Sequence, residues 1–259
     1  MQTSQKAMER QSRIRDLLCS KGTLTLQELV VLLNCSEATI RNDLSKLEKE
    51  GVLQRVFGGA VANESTGRNS VISKRMNREV EEKKQIADYV VKNLIQPNMI
   101  LTLDSGTTNM MLAKKIVDAK IPCTIVTNSF SAATIISKSP HIQLYLAGGF
   151  LDVQHESFHD DVSELIVKAY RSNLCFITPN GLDQNGTVTS SSIPENSIKQ
   201  LMIRQADKTV VLADHTKLCN TELRVICYAD SVDQVITDYQ ASAEQISMLT
   251  QAGFRIVQA

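Results

Sequence analysis

Apolar positions recur at two different periods along this chain, and the change of period divides it. From Glu9 to Ser20 the apolar residues Ile14, Leu17 and Leu18 keep the i, i+3, i+4 spacing of an amphipathic helix, which Lys21-Gly22 ends. Thr25-Leu26-Gln27-Glu28 has the form of a capping box, a hydroxyl at the N-cap and a carboxylate three residues on. The helix it starts is expected to bury Leu29, Leu32 and Leu33. Asn34-Cys35 breaks that helix, and Ser36 is a good N-cap for a third, Glu37 to about Glu50. On this third helix Ile40, Leu44 and Leu47 form one narrow apolar stripe, while Ala38, Asn42, Ser45, Lys46 and Lys49 fall on the opposite side. Gly51 closes it. Val52–Phe57 reads as a short strand, Gly58-Gly59 as a tight turn, and Ala60-Val61 as the start of a return strand. Three helices followed by a hairpin make a winged helix.

Residues 62–78 are polar and without period, as a hinge or linker would be. Helical periodicity resumes near Val80 and is broken by Pro97. Apolar runs then alternate with helical ones. The expected strands are Ile100–Leu103, Thr124–Thr127, Gln143–Leu146, Leu174–Ile177, Thr209–Leu212, Gln234–Thr237 and Arg255–Val257, and the expected helices lie at 107–118, 129–138, 161–170, 194–206 and 241–251. This alternation predicts an α/β domain with a largely parallel sheet.

Composition narrows the class. No stretch approaches the ~20 apolar residues of a membrane span, and the first residues lack the apolar core of a secretory signal. The cysteines Cys19, Cys35, Cys123, Cys175, Cys219 and Cys227 are scattered without a C-x-x-C pair, as reduced structural thiols in a cytoplasmic protein are. His155 and His159 stand four apart but lack a third ligand, so no metal and no cofactor is expected. Residues 1–60 hold nine Lys/Arg and seven Asp/Glu, the rest nineteen and twenty-one. That weak positive balance permits contact with nucleic acid, because phosphate contacts are local, without arguing for it.

Pattern therefore carries the function. The third helix is buried on one face, and its other face is small, polar and basic, the division a recognition helix in the major groove needs. Asn42 has the amide geometry that pairs with adenine, Arg41 and Lys46 can reach phosphates, and the wing can bring Arg55 to the backbone or minor groove. The plainer alternative is a solvated helix face, or a face that meets a protein partner. In the larger domain, polar small-residue clusters follow five of the expected strands: Asp104–Thr108, Thr127–Ser129, Ala147–Gly149, Thr178–Gly181 and Ala213–Lys217. Helix N-termini with hydroxyls and glycines are ready anion sites. Any one cluster is equally explained by turn and cap chemistry; five on one edge favour a polar, anionic ligand. Neither a Walker loop nor a Rossmann fingerprint occurs.

The residues also resemble a known family. Ser36-Glu-Ala-Thr39-Ile-Arg41-Asn-Asp43-Leu44, Leu47-Glu48, Gly51 and Arg55-Val-Phe-Gly58-Gly59-Ala60 are similar to the DeoR family of bacterial sugar-catabolism repressors. DSGTT at 104–108, TNS at 127–129, the GG pair, Glu195…Lys199 and ADHTK at 213–217 resemble that family's sugar-phosphate-sensing domain, which is similar in fold to ribose-5-phosphate isomerase. The resemblance implies a winged helix-turn-helix at 1–62, a linker at 63–78 and an α/β effector-binding and oligomerisation domain at 79–259. Its expected DNA-binding set is Thr25, Ser36, Glu37, Ala38, Thr39, Arg41, Asn42, Lys46 and Arg55. Its expected effector set is Asp104, Gly106, Thr107, Thr108, Asn128, Ser129, Gly148, Gly149 and Lys217. The implied partners are double-stranded operator DNA, a phosphorylated sugar or sugar-alcohol, and further copies of the chain as a dimer or tetramer. Asp43 is expected to tie its helix to a neighbouring Arg or backbone N–H. Two positions depart from the family: Asp152 stands where many members have Arg, and Asp160 where they have Gly. The family's Gly-Ala-Asp-Gly-like run is Thr178-Pro179-Asn180-Gly181 here. Acids beside a phosphate pocket repel a dianion, so either the effector is less anionic, or these groups face away, or sensing is altered. A sugar-phosphate isomerase with Asp104 and Lys217 as acid and base is the competing enzymatic reading, but no second catalytic carboxylate is evident and isomerisation does not need a winged helix.

Overall fold

The computed structural model describes residues 7, 10–15, 17, 18, 23–50, 52–62, 71–192 and 194–259. The chain divides into two compact units, Met1–Arg78 and Glu79–Ala259.

In the first unit, residues 10–15 and 17–18 are helical (α1) and bury Ile14 and Leu18. β1 (Thr23–Thr25) runs directly into α2 (Leu26–Leu33). The Thr25 hydroxyl accepts from the Glu28 N–H at 3.2 Å and the Glu28 carboxylate accepts from the Thr25 N–H at 2.8 Å, so the capping box forms. Asn34, with φ 48°, ends α2 in the left-handed conformation. Leu29 is buried and Leu33 half-buried, but Leu32 is exposed, against the sequence expectation. The helix has only two turns, and its inward stripe is Leu26, Leu29, Val30 and Leu33, which turns Leu32 outward with Val31. α3 (Glu37–Lys49) starts at Ser36, whose hydroxyl accepts from the Thr39 N–H, and buries Ile40, Leu44 and Leu47.

β2 (Leu53–Val56) and β3 (Gly59–Ala62) form the wing, and β1 adds to β3 in a three-stranded antiparallel sheet of order β1-β3-β2. The turn residues are Phe57 and Gly58 rather than the glycine pair; Gly58 takes φ +82°, and Gly59 already belongs to β3. Strand β1 escapes the sequence pattern because three residues, although they alternate exposed–buried–exposed, are too few to establish a period. α4 (Val71–Met76) is helical inside the stretch that reads as linker. Lys21, Gly22, Gly51 and residues 63–70 lie outside the described residues.

The second unit opens with α5 (Val80–Asn93) and continues β4 (Ile100–Leu103), α6 (Thr107–Asp118), β5 (Cys123–Thr127), α7 (Phe130–Ile136) and β6 (Ile142–Leu146). A small hairpin, β7 (Leu151–Asp152) and β8 (Ser157–Phe158), precedes α8 (Asp161–Lys168) and β9 (Ser172–Ile177). Then come β10 (Gly181–Leu182), β11 (Thr187–Ser190), α9 (Pro194–Arg204), β12 (Ala206–Leu212), β13 (Arg224–Tyr228), β14 (Gln234–Thr237), α10 (Ala243–Gln251) and β15 (Ile256–Gln258). Seven strands make one sheet of order β15-β14-β12-β9-β4-β5-β6, with every pair parallel. These are the seven strands the apolar runs predict. Helices cover both faces of such a sheet, so the central stretches of its strands are apolar, and Leu101, Leu103, Ile125, Phe176 and Val211 are fully buried. The antiparallel sheet β10-β11-β13 is additional; β10 and β11 are too short to give a periodic signal, and β13, the run Arg-Val-Ile-Cys-Tyr, is a strand outside those expected from the sequence.

The order places a topological switch at the centre. From β4 the chain steps outward through β5 and β6, then returns to the other side of β4 at β9 and steps outward again. The loops after β4 and β9 thus diverge, and the crevice outside their carboxyl ends is where open α/β sheets bind ligands. No helix among the described residues is long and apolar enough to cross a membrane.

Candidate functional site

In the first unit the exposed side of α3 is the candidate nucleic-acid surface. Glu37, Ala38, Arg41, Asn42 and Lys46 are exposed, and Thr39 is half-buried. The side chains of Asn42 and Lys46 have no hydrogen bond or ion pair among the described residues. The Arg41 guanidinium lies on Glu37 at 2.7 and 3.0 Å, an exposed pair one turn apart. Such pairs are worth about 0.3–0.5 kcal/mol, so phosphate can displace it. Thr25 and Ser36 spend their hydroxyls on helix caps. Arg55 is fastened to Glu48 through its backbone N–H at 3.0 Å, with its guanidinium 3.9 Å from the same carboxylate. Phe57, absent from the sequence-based set, is fully exposed at the tip of the wing.

Behind this face Asp43 is buried. It accepts from Arg10 Nε at 2.5 Å and Gln11 Nε2 at 2.7 Å, the tie to a neighbouring Arg that the sequence suggests. The Asp43 hydrogen bond holds the Arg10 guanidinium above its ordinary pKa. α1 and α3 are thereby locked at a fixed angle, which fixes where the exposed face points.

In the second unit the five polar clusters follow β4, β5, β6, β9 and β12, so they share one edge of the parallel sheet. Asp104 ends β4 at the switch point and is fully buried. Its Oδ1 accepts from Gly106 N–H at 3.0 Å, Asn109 Nδ2 at 2.8 Å and Thr178 Oγ1 at 2.5 Å. Its Oδ2 accepts from the Thr178 N–H at 2.8 Å and from the Lys199 ammonium. Five donors fill both oxygens, so Asp104 fastens the end of β4 to the end of β9 and has no acceptor site left for a ligand hydroxyl. Gly106 is required for this closure, because a Cβ there would stand 1.7 Å from Thr178 Oγ1.

Thr107 and Thr108 are buried in the first turn of α6. The α6 N-cap is Gly106, which supplies no side-chain cap, and the N–H of Met110 is the first to find an intrahelical carbonyl. The first-turn N–H groups therefore remain available to an anion. Asn128 donates from Nδ2 to the Phe158 carbonyl at 2.8 Å and holds the β7–β8 hairpin, while the Ser129 hydroxyl caps α7. The Gly148 carbonyl accepts from Ser163 Oγ, and Gly149 lies against Asp160. Lys217 closes the short 3-10 turn His215–Lys217 after β12 and is half-buried, with no side-chain partner among the described residues.

Lys83 on α5 adds to this edge. It is buried on the stripe of Ile86, Ala87 and Val90, and burial lowers its pKa; the nearby charge of Lys217 lowers it further and that of Asp214 opposes. A lysine at a core position of an amphipathic helix is a signal that sequence reading can use, since lysine is seldom buried without a partner.

Both family departures are spent on local structure. Asp160 is the N-cap of α8 and accepts from the N–H groups of Phe150 and Ser163, which hold its carboxyl down to about 2. Asp152 accepts from the N–H groups of Gln154 and His155 and from His155 Nδ1 at 2.8 Å, and lies 3.8 Å from His159 Nε2. Burial raises the Asp152 carboxyl, but the His155 and Gln154 hydrogen bonds outweigh it and the net shift is downward. No group of three or more His, Cys, Asp or Glu suited to a metal gathers among the described residues.

A winged helix with an exposed polar face in one unit, and a parallel sheet carrying an anion-competent edge in the other, are the parts of a DNA-binding regulator with a small-molecule sensor. Comparison with known proteins gives the family. Residues 10–66 match the DeoR-like helix-turn-helix domain and residues 78–239 the DeoR C terminal sensor domain. The chain belongs to the DeoR family of transcriptional regulators, and it is not an enzyme. The HTH-type transcriptional regulator GolR of Listeria innocua is 30% identical over 96% of this chain and 97% of that protein. A putative aga operon transcriptional repressor of Escherichia coli O157:H7 is 28% identical over 96% and 93%. A lactose phosphotransferase system repressor of Staphylococcus aureus is 29% identical over 90% and 92%. Among solved structures, ribose 5-phosphate isomerase A of Methanocaldococcus jannaschii aligns over 52% of each chain at 16% identity, with a TM-score of 0.39.

Proposed function

We propose that this chain is a cytoplasmic repressor of a sugar or sugar-alcohol catabolic operon, released from operator DNA by a phosphorylated sugar. The observation that carries the effector class is the uncapped N-terminus of α6 at the topological switch point, with Thr107 and Thr108 in its first turn. Free N–H groups and the helix dipole favour a phosphate there. Lys217 and Lys83 supply positive charge along the same edge. The polyol end of the effector lies toward the β7–β8 hairpin that Asn128 and Ser129 anchor. The sugar-operon names of the relatives agree with this chemistry.

On the DNA side, Asn42 reads a base edge, and Arg41, Lys46 and Arg55 meet phosphates. Ser36, Glu37, Ala38 and Thr39 form the N-terminal turn that enters the groove, and Thr25 sets α2 against it. One recognition helix covers one half-site, so the working species is a dimer or tetramer. Effector binding shifts the population toward the state with weaker operator affinity.

Fluorescence anisotropy with DNA from upstream of this chain's own and neighbouring genes tests the reading. Expected are tight, salt-sensitive binding and its loss when one member of a sugar-phosphate panel is added. An effector at ~100 Kd stabilises the protein by about 2.7 kcal/mol, so a thermal-shift screen identifies it. Absence of sequence-specific binding to any of these DNAs refutes the DNA reading.

A further inference from the structure

Two acceptors at the carboxyl edge of the sheet are open to a further donor: one oxygen of Glu195, a buried residue, and the buried Oδ1 of Asn128. Glu195, in the first turn of α9, is 4% exposed. Its Oε1 meets only the hydroxyls of Ser105 and Ser157, at the long distances of 3.4 and 3.5 Å. Its Oε2 has no hydrogen-bond partner among the described residues, and the carboxylate is in no ion pair there. Lys199, one turn along α9, cannot serve it, because its ammonium is held by Asp104 and by the Thr178 carbonyl at 3.1 Å. The second acceptor is Asn128 Oδ1, buried and without a partner, while its Nδ2 is fixed on the Phe158 carbonyl.

The two acceptors are joined through consecutive residues of β8: Ser157 bonds Glu195, and Phe158 bonds Asn128. Buried polar atoms are almost always paired, and those left open mark places where a ligand or water completes them. A group that satisfies two acceptors must be rich in donors. Neighbouring hydroxyls of a sugar or polyol are such a group; a phosphate dianion, which only accepts, is not.

We propose that Glu195 is the residue that reads the effector's hydroxyls, through Oε2, with Asn128 Oδ1 taking an adjacent hydroxyl. This rests on the sugar-phosphate reading above. It also divides labour between two buried acids on the edge: Asp104, filled by its own donors, builds the site, and Glu195, unfilled, meets the ligand. Ser105 and Ser157 hold the carboxylate in place from the β4–α6 turn and from the hairpin.

The test uses the full chain and three variants, E195M, E195Q and D104N, in thermal-shift and calorimetric titration against pentose, hexose and hexitol phosphates and inorganic phosphate. Without any ligand, E195M is expected to melt at or near the wild-type temperature, because only the two long hydroxyl contacts of Ser105 and Ser157 are lost, whereas D104N, which disturbs a filled carboxylate, melts lower. The sugar phosphate that stabilises the wild type is expected to bind E195M about 10- to 100-fold more weakly, the worth of hydrogen bonds to a charged group. E195Q, which keeps one acceptor oxygen, falls between. Inorganic phosphate is expected to bind all the Glu195 variants as it binds the wild type, which a general loss of structure would not allow. A ligand-free E195M that melts as low as D104N overturns the assignment by making Glu195 part of the scaffold. Equal sugar-phosphate affinity in wild type and E195M also overturns it, and leaves the effector class intact. Stabilisation of the wild type by none of the sugar phosphates overturns the effector class, and the assignment with it.

Discussion

Asp43 and Asp104 are both buried carboxylates, each satisfied by a cation and neutral donors, yet they serve opposite kinds of site. Asp43 stands behind its working face, and the groups proposed to face DNA are exposed on the far side of α3. Its partner Arg10 keeps 21% of its side chain in solvent. Asp104 stands inside its working edge, among Ser105, Thr107, Thr108 and Asn109, all buried, and its partner Lys199 keeps 4%. A surface for a large polyanion can be held from behind by one tie. A pocket for a small polar molecule must bury its own polar groups, and each of them then needs a partner.

This contrast predicts unequal penalties. Removing one member of a buried pair strands the other, at a cost of about 3–5 kcal/mol. D104A is therefore expected to lower the stability of the second unit by that amount in urea denaturation. D104L/K199M, which removes both charges, is expected to lose less than D104A alone. A double variant no better than the single would show that the remaining donors of Thr178 and Asn109, and not the stranded lysine, carry the penalty.

D43A follows in size. Hydrogen bonds to a charged group contribute about 1.5–3 kcal/mol, and the solvent that reaches Arg10 moderates the loss. The sharper expectation is separation of function. D43A loosens α1 from α3 and weakens operator binding, while its stabilisation by the sugar phosphate stays at the wild-type value. An equal loss of both responses would erase the distinction between a surface held from behind and a pocket held from within.

The same contrast explains what could be read from the residues alone. The exposed face of α3 is periodic, so Asn42 and Lys46 emerge from counting at 100° per residue. The seven strands of the sheet are apolar runs, and they too are legible. The site at the sheet edge is assembled from segments far apart in the sequence; Lys199 and Asp104, which meet there, are 95 residues apart. Sequence shows that each turn is polar but not which oxygen is filled. Asp104 therefore reads as a ligand-binding acid, while Glu195 stands out only as part of a family pattern. Leu32 shows the complementary failure: in a two-turn helix one residue of phase error moves a leucine from core to solvent. β1, β10 and β11 were too short and too polar to carry a period.

Asn42 tests the surface directly. N42A removes an exposed amide with no internal partner, so the melting temperature should not move. A lost bidentate contact to adenine weakens binding to the operator by about 1–3 kcal/mol and relaxes preference at one base pair. K46A, losing a phosphate contact, should weaken operator and unrelated DNA alike and shallow the salt dependence. Full operator affinity in N42A would assign the face of α3 to a protein partner instead.

The smallest expected effect concerns Asp160, where a departure from the family became a helix cap. Its carboxyl lies near 2 in the folded chain, below the ordinary value of 3.8, because backbone N–H groups of Phe150 and Ser163 bond the charged form. A depressed carboxyl contributes stability that is fully present above the unfolded pKa and is lost as pH falls through the folded one. D160N keeps a capping oxygen but does not titrate, so it should be less stable than the wild type at pH 6 by less than the ~1 kcal/mol that an alanine substitution at an N-cap costs. That gap should narrow as pH falls below about 4 and close only below about pH 2, which urea denaturation across this range measures. A gap that stays constant would mean that Asp160 caps α8 by shape alone. The carboxylate would then be free of its N–H donors, and its repulsion toward a phosphate on the same edge would return as a constraint on the effector.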